Sequence, residues 1–282
     1  MIKRLNNITH KSLEKSDLMD AFLSIQVSLD GFSFSIYHYK SKKYLAFFQY
    51  DLKLVTKTPE NLLESIKTIY EENILLQQEY KKVVVVHQNN LAAIVPRKYF
   101  KKDHLKTYLN QTVKTLKNDF ITYDKLKETN ANSVYIPFVN INNYLFTKFG
   151  EFEFYHNSTI LADRLILKFE DHKNPKLFIN IYGHHFDLII LDKGKLIFYN
   201  SFYFKTTADF IYYILYTMEQ LNLDPEKINT LLLGEIEKNT ALFKISYKYI
   251  RNIDFYKTEN PALTSVFKPI SSHANYNILN LF

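Results

Sequence analysis

The chain has 282 residues, room for two domains of average size, and 46% of them are hydrophobic, enough to fill two cores. It has no cysteine, which excludes disulfides, thiolate zinc sites and a cysteine nucleophile. The net charge of +7 sits in the first half: residues 1–150 carry 22 basic and 14 acidic side chains, residues 151–282 carry 14 and 15.

The start, MIKRLNNITHKSLEKSD, is polar and lacks the apolar core of a signal peptide. No run approaches the roughly 18 apolar residues of a membrane-crossing helix. These features predict a cytoplasmic protein with no membrane insertion. Residues 22–29 and 32–39 alternate and read as strands, with a third strand at 44–50 after a Lys-rich turn. Thr58-Pro59 opens a helix with cap and proline in their favoured places. Residues 81–86, KKVVVV, read as a short strand buried on both faces.

Between about 87 and 133 no element is assigned. Here Arg97, Lys98, Lys101, Lys102 and Lys106 join Lys81 and Lys82 in the basic excess. A solvated surface and a site for nucleic acid or an acidic partner both fit them, and no nucleic-acid motif accompanies them. Residues 134–139 read as a strand, 141–149 as a helix, 151–156 as a strand and 158–169 as a helix. Loop chemistry at Asn157 and at His172–Pro175 places a boundary near 157–175, dividing a first domain, 1–160, from a second, 161–282.

The second half repeats the order of the first. Strands are predicted at 176–182, 186–191 and 195–202. A helix capped by Thr206 and Thr207 follows; it is apolar nearly all round, which predicts cover on more than one side. Residues 230–233 are the short buried strand. A shift of 152 residues lays Ser28-Leu29-Asp30-Gly31 on Asn180-Ile181-Tyr182-Gly183 and strand 44–50 on 196–202. Three strands joined by tight turns form an antiparallel meander, and the helix that follows returns a fourth strand parallel to the first. This is the order of a ribonuclease H-like unit. The predicted fold is α/β, with duplicated ribonuclease H-like units forming a two-lobed actin-like ATPase fold.

The segments LDGFSFSIY (29–37) and YNSFYFKTTADFIYYIL (199–215) resemble an uncharacterised bacterial family of actin-like ATPase fold, within the actin, heat-shock chaperone and sugar kinase superfamily. The resemblance covers nearly the whole chain and implies a nucleotide site on the first hairpin of each lobe. There, glycines let backbone amides approach phosphate, and acids hold Mg²⁺ through water or orient an attacking water. The residues that match those positions are Ser28, Asp30, Gly31 and Ser33 in the first lobe, and Asn180, Gly183 and Asp187 in the second. Gly234 matches the adenosine motif after the last buried strand.

Against the pattern, Ser28 and Asn180 stand at acid positions, Asp30 and Tyr182 at glycine positions, and Glu235 beside Gly234. Gly31, Gly183 and Gly234 also fit plain turns, and Asp30 and Asp187 also fit hairpin acids. His184 and His185, as strand neighbours, are expected on opposite faces. The expectation is a scaffold or adaptor with degenerate nucleotide motifs that binds another protein, with no catalytic residue and no metal site assigned. The alternatives are a divergent ATP-binding protein using ATP and Mg²⁺, as an ATPase or kinase, and a nucleic-acid-associated protein using its basic first lobe.

Overall fold

A computed structural model describes residues 2–11, 13–53, 58–257, 260–267, 270–271 and 273–282. Its strands are β1 (Lys3–Thr9), β2 (Ala21–Val27), β3 (Gly31–His38), β4 (Lys43–Asp51), β5 (Lys82–His87), β6 (Ala92–Pro96), β7 (Thr122–Lys125), β8 (Ala131–Tyr135), β9 (Glu153–His156), β10 (Lys176–Tyr182), β11 (His185–Asp192), β12 (Lys195–Tyr203), β13 (Asn229–Gly234) and β14 (Asn252–Phe255). Its α-helices are α1 (Lys15–Leu18), α2 (Pro59–Glu72), α3 (Leu105–Leu109), α4 (Val139–Phe149), α5 (Asn157–Lys168), α6 (Thr207–Gln220) and α7 (Ala241–Tyr249). None of the helices is long and apolar enough to cross a membrane, among the described residues.

Two sheets repeat one plan. The first runs β1-β4-β3-β2-β5-β9 and the second β12-β11-β10-β13-β14. In each, a three-stranded meander is antiparallel, and a strand after the helix returns parallel to the first: β5 on β2, β13 on β10. A right-handed crossover helix is what makes that parallel return possible. Thr58 caps α2 through the Asn61 amide. Thr206 caps α6 in a reciprocal box with Asp209.

The pairing register corrects the shift of 152. Val27 pairs with Phe32 across the turn at 28–31, and Tyr182 pairs with His185 across Gly183-His184. Laying one two-residue turn on the other shifts the first two strands by 154, so Ser28 corresponds to Tyr182 and Gln26 to Asn180. Only β4 and β12 keep the shift of 152. The difference is two residues in the second turn, 39–42 in one lobe and 193–194 in the other. The corrected register also aligns an irregularity. β3 bulges against β4 between Ile36 and Tyr37, and β11 bulges against β12 between Ile190 and Leu191, both 154 residues on. A bulge recurring at one site in both lobes marks the same bend in the same unit.

The strand predicted at 134–139 ends at Tyr135 and belongs elsewhere. β8 forms a small antiparallel sheet, β6-β8-β7, with two strands from the unassigned stretch, and residues 136–138 lead into α4. α6 differs from expectation too. Phe210, Ile214 and Met218 are buried, whereas Tyr212 is 57% exposed, so the helix is covered on one side.

Each main sheet buries both faces. In the first lobe, Leu23, Ile25, Phe34 and Val85 pack on α2 and α4. The opposite face, with Tyr44 and Phe47, is covered by Phe267, Ile278 and Leu279 from the C-terminal stretch. That stretch also reaches the second lobe, where Tyr276 packs beside Phe178 and Tyr256 and the Gly234 amide donates to the His273 carbonyl. The chain end therefore straps the inner faces of both lobes together.

Candidate functional site between the lobes

The meander turns carrying Asp30 and Gly183 meet where the lobes face each other. The first is closed by Ser28 and Gly31, whose backbones exchange hydrogen bonds of 2.9 and 3.4 Å. Gly183 has φ +55°, the left-handed value that the first central position of a two-residue hairpin turn requires. The two turns touch: a Cβ built on Gly183 would lie 2.0 Å from Asp30 Oδ2. Beside them Lys53 of the first lobe pairs with Glu235 of the second at 2.7 Å. Glu235 Oε2 also lies 3.5 Å from the Gly183 amide, which donates to it. Burial raises the Asp30 carboxyl above its ordinary value against the opposing pull of Lys53. For Lys53, burial pulls down and the Glu235 carboxylate more than offsets it, leaving the ammonium raised.

The contact leaves two small cavities, one on each side of the Asp30 turn. One, of about 230 Å³, is lined by Ser28, Asp30, Gly31, Ser33, Gln26 and Gln88 among others. The second, of about 170 Å³, is lined by Tyr182, His184, His185 and Tyr203 with Ser28 and Asp30. His184 and His185 thus share one cavity, contrary to the expectation of opposite faces, because His184 lies in the turn and not in the strand. Burial, then the His184 charge, lowers the His185 imidazole.

Behind the second turn lies a sealed polar network. Asp187 is wholly buried. Its Oδ2 accepts from Asn157 Nδ2 at 3.0 Å and from Asn180 Nδ2 at 3.2 Å. Its Oδ1 accepts from the Tyr199 hydroxyl at 3.1 Å and faces the Tyr182 hydroxyl at 3.2 Å. No cation pairs with it among the described residues, and desolvation lifts its carboxyl to about 6 in spite of these donors. Tyr182, the replacement at the second lobe's glycine position, points into this network, with its hydroxyl 2.9 Å from Ser201 Oγ. Asn277 of the strap donates to Asn157 Oδ1 and closes the network from the far side.

A second buried carboxylate follows. Asp124 accepts from the His156 amide and the Thr159 hydroxyl, each at 2.8 Å, and from the Tyr135 hydroxyl at 2.9 Å. Burial raises it to about 6. His156 and His87 are neutral: burial lowers them to about 3 and about 4. Each accepts at Nδ1 from a backbone amide, Ser158 or Phe138, which leaves Nε2–H to donate to Asn89 or Asn142.

Of the residues matched to the nucleotide pattern, Ser28, Asp30, Gly31 and Ser33 share the larger cavity with Glu235. Gly183 abuts Asp30. Asn180 and Asp187 are walled off behind Tyr182. Gly234, at φ +83°, presses on the Ile181 backbone, where a Cβ would meet the Ile181 oxygen at 2.0 Å. In this register the residue that corresponds to Asn180 is Gln26 and not Ser28: Gln26 is paired with Ser33 as Asn180 is paired with Asp187. Lys53, Asn157 and Tyr199 carry no motif and join the site only through the fold. Among the described residues no group of three or more His, Asp or Glu is placed to hold a metal ion.

Comparison with known proteins places this geometry. No curated protein matches the chain. A Bacteroides thetaiotaomicron VPI-5482 protein with actin-like ATPase fold and unknown function is 24% identical, with a TM-score of 0.78 over 91% of this chain and 97% of that one. A chain of the PilM–PilN type IV pilus biogenesis complex is 12% identical, with a TM-score of 0.56 over 93% and 97%. Both likenesses show the two-lobed actin-like fold. The model of a protein family of unknown function, DUF3822, matches residues 10–253, and the chain belongs to that family.

Proposed function

We propose that the chain is a non-catalytic cytoplasmic scaffold that holds another protein, and that its nucleotide motifs serve the packing of the lobes. The observation that carries this reading is the contact between Asp30 and Gly183, which occupies the space where the two turns of an active relative would straddle phosphate. The replacements agree with it. Gln26 and Asn180 are amides that do not bring a charge to Mg²⁺, and Asp187 spends its lone pairs on buried neutral donors. A neighbour of the same fold, PilM, is found in a complex with PilN, and an actin-like body that serves by binding a protein fits the present geometry.

The decisive experiment is thermal unfolding with and without ATP, ADP and Mg²⁺, together with a phosphate-release assay. A ligand at 100 times its dissociation constant adds about 2.7 kcal/mol. No shift at millimolar nucleotide and no phosphate release is the expected result. A nucleotide-dependent shift or turnover favours the divergent ATP-binding reading instead. The nucleic-acid reading is weakened by the placement of the basic residues. Lys82 is paired with Glu153, Lys81 sits over the Tyr39 ring, and Arg97 donates to the Leu126 carbonyl. Retention on RNA or DNA at low salt, lost steeply as salt rises, would restore it.

A further inference from the structure

A row of polar side chains crosses four strands of the first sheet. Asn6 on β1 pairs with Gln49 on β4, Gln49 with Ser33 on β3, and Ser33 with Gln26 on β2. The next row on that face is buried under the strap, where Ser35 Oγ donates to the Ile278 carbonyl. Three members of the Asn6–Gln26 row, Gln49, Ser33 and Gln26, line the 230 Å³ cavity. Its amides are tied into pairs that hold their planes fixed, Asn6 Nδ2 to Gln49 Oε1 at 2.7 Å and Gln26 Nε2 to Gln88 Oε1 at 2.8 Å.

The mouth of this chamber carries Asp30, Asp51 and Glu235 against one cation, Lys53. Glu235 already neutralises Lys53 at 2.7 Å, and neither Asp30 nor Asp51 is within ion-pair distance of a cation among the described residues. Asp51 is held in place by the Lys53 amide, which donates to Oδ1 at 2.9 Å. A polar floor under two carboxylates that have no ion-pair partner among the described residues selects a cationic guest that is rich in donors. Small-molecule pockets run from about 300 Å³ upward, so this chamber has room for one head group and not for a nucleotide. A guanidinium is planar, has five N–H donors and no acceptor, and is less strongly hydrated than an ammonium. It can offer donors to the Asp30 carboxylate on the turn and to the Asp51 carboxylate at the end of β4 while its plane rests on the amides.

We propose that this chamber receives a guanidinium group, presented as an arginine side chain by the protein partner. The inference rests on the scaffold reading and names the chemistry by which the partner is held. The test is titration of the full chain, by calorimetry or amide chemical shifts, with N-acetyl-arginine N-methylamide, the corresponding lysine compound, and agmatine.

Saturable binding of the capped arginine is expected, about tenfold tighter than the capped lysine. Asp51→Asn keeps the acceptor for the Lys53 amide and should weaken binding about tenfold. Lys53→Met should tighten it about threefold, the opposite sign. Absence of saturation, or affinity indifferent to both substitutions in folded protein, overturns the proposal. Agmatine binding ten times tighter than the capped arginine would assign the chamber to a free small guanidine and remove the protein partner from it. Mg-ATP titrated in parallel separates the two failures: a silent arginine with a silent nucleotide sinks this inference alone, whereas a nucleotide signal sinks the scaffold reading beneath it.

Discussion

Asn180 and Asp187 face each other across β10 and β11, and the Asn180 amide donates to the Asp187 carboxylate at 3.2 Å. With Asn157, Tyr182 and Tyr199 around it, Asp187 is a buried anion held by neutral groups. Such a group ties folding to pH. Its folded value of about 6 lies above its ordinary 3.8. The folded state therefore binds more protons than the unfolded chain between those values, and the contribution to stability grows as pH falls through the window. Asp124 behaves alike. His87 and His156 act in the opposite sense: their folded values of about 4 and about 3 lie below 6.5, so their contribution is lost as pH falls below about 6.5. The two carboxylates partly offset the two histidines in the wild type. Asp187→Asn removes one gain and leaves both losses. Urea unfolding should show the variant losing about 2 kcal/mol more than wild type between about pH 7 and about pH 4.5. A wild-type-minus-variant difference that stays constant with pH would mean that Asp187 is not a buried anion.

The same pair tests whether the motif can be restored. Asn180→Asp returns an acid to the second-lobe acid position, but it sets two carboxylates side by side and removes a donor. Like charges so placed hold a shared proton, and an unpaired buried charge costs about 3–5 kcal/mol. The expected outcome is a fall in stability of that order with no nucleotide-dependent change in Tm. A Tm that rises on adding Mg-ATP to the variant would show that the turns part readily and that the site is closed only for want of the acid.

Closure of the turns has its own signature. Gly183→Ala adds a Cβ where Asp30 Oδ2 now lies and places it on a left-handed residue. The backbone conformation alone costs about 1–2 kcal/mol, and displacement of Asp30 adds to it. In the double variant with Asp30→Ala the overlap vanishes and only the backbone cost should remain. Additivity of the two substitutions, measured by chemical denaturation, would place the turns apart in solution.

The lobes were legible because each meander repeats a strong signal: alternating strands, a two-residue turn, a Thr-capped helix and a short apolar strand. The correspondence of Gln26, and not Ser28, with Asn180 was not, because side chains do not reveal that one lobe's second turn is two residues longer; the strand pairing across the first turns fixes it, and the paired bulges at Ile36 and Ile190 agree. β1 was missed because an edge strand with one free side can be as polar as KRLNNIT. β6 and β7, at five and four residues, are too short for their period to stand out. Within the site, Gly183 and Asp187 carried motif signals. Asn157, Tyr199 and Lys53 carried none, since their neighbours in space lie on distant elements of the chain.

The least legible part was the strap, which has no regular period, yet the first sheet depends on it. Ile278 is fully buried, and with Phe267 and Leu279 it covers Tyr44 and Phe47. The Ser35 hydroxyl also donates to its carbonyl. Truncating such a side chain removes transfer energy and leaves a cavity, so Ile278→Ala should cost about 2–5 kcal/mol. Leu5→Ala, on the exposed edge strand, should stay within about 0.5 kcal/mol and serves as the comparison. If the two variants unfold at the same denaturant concentration, the strap is not part of the folded core, and the inner face of the first sheet must be covered by something else.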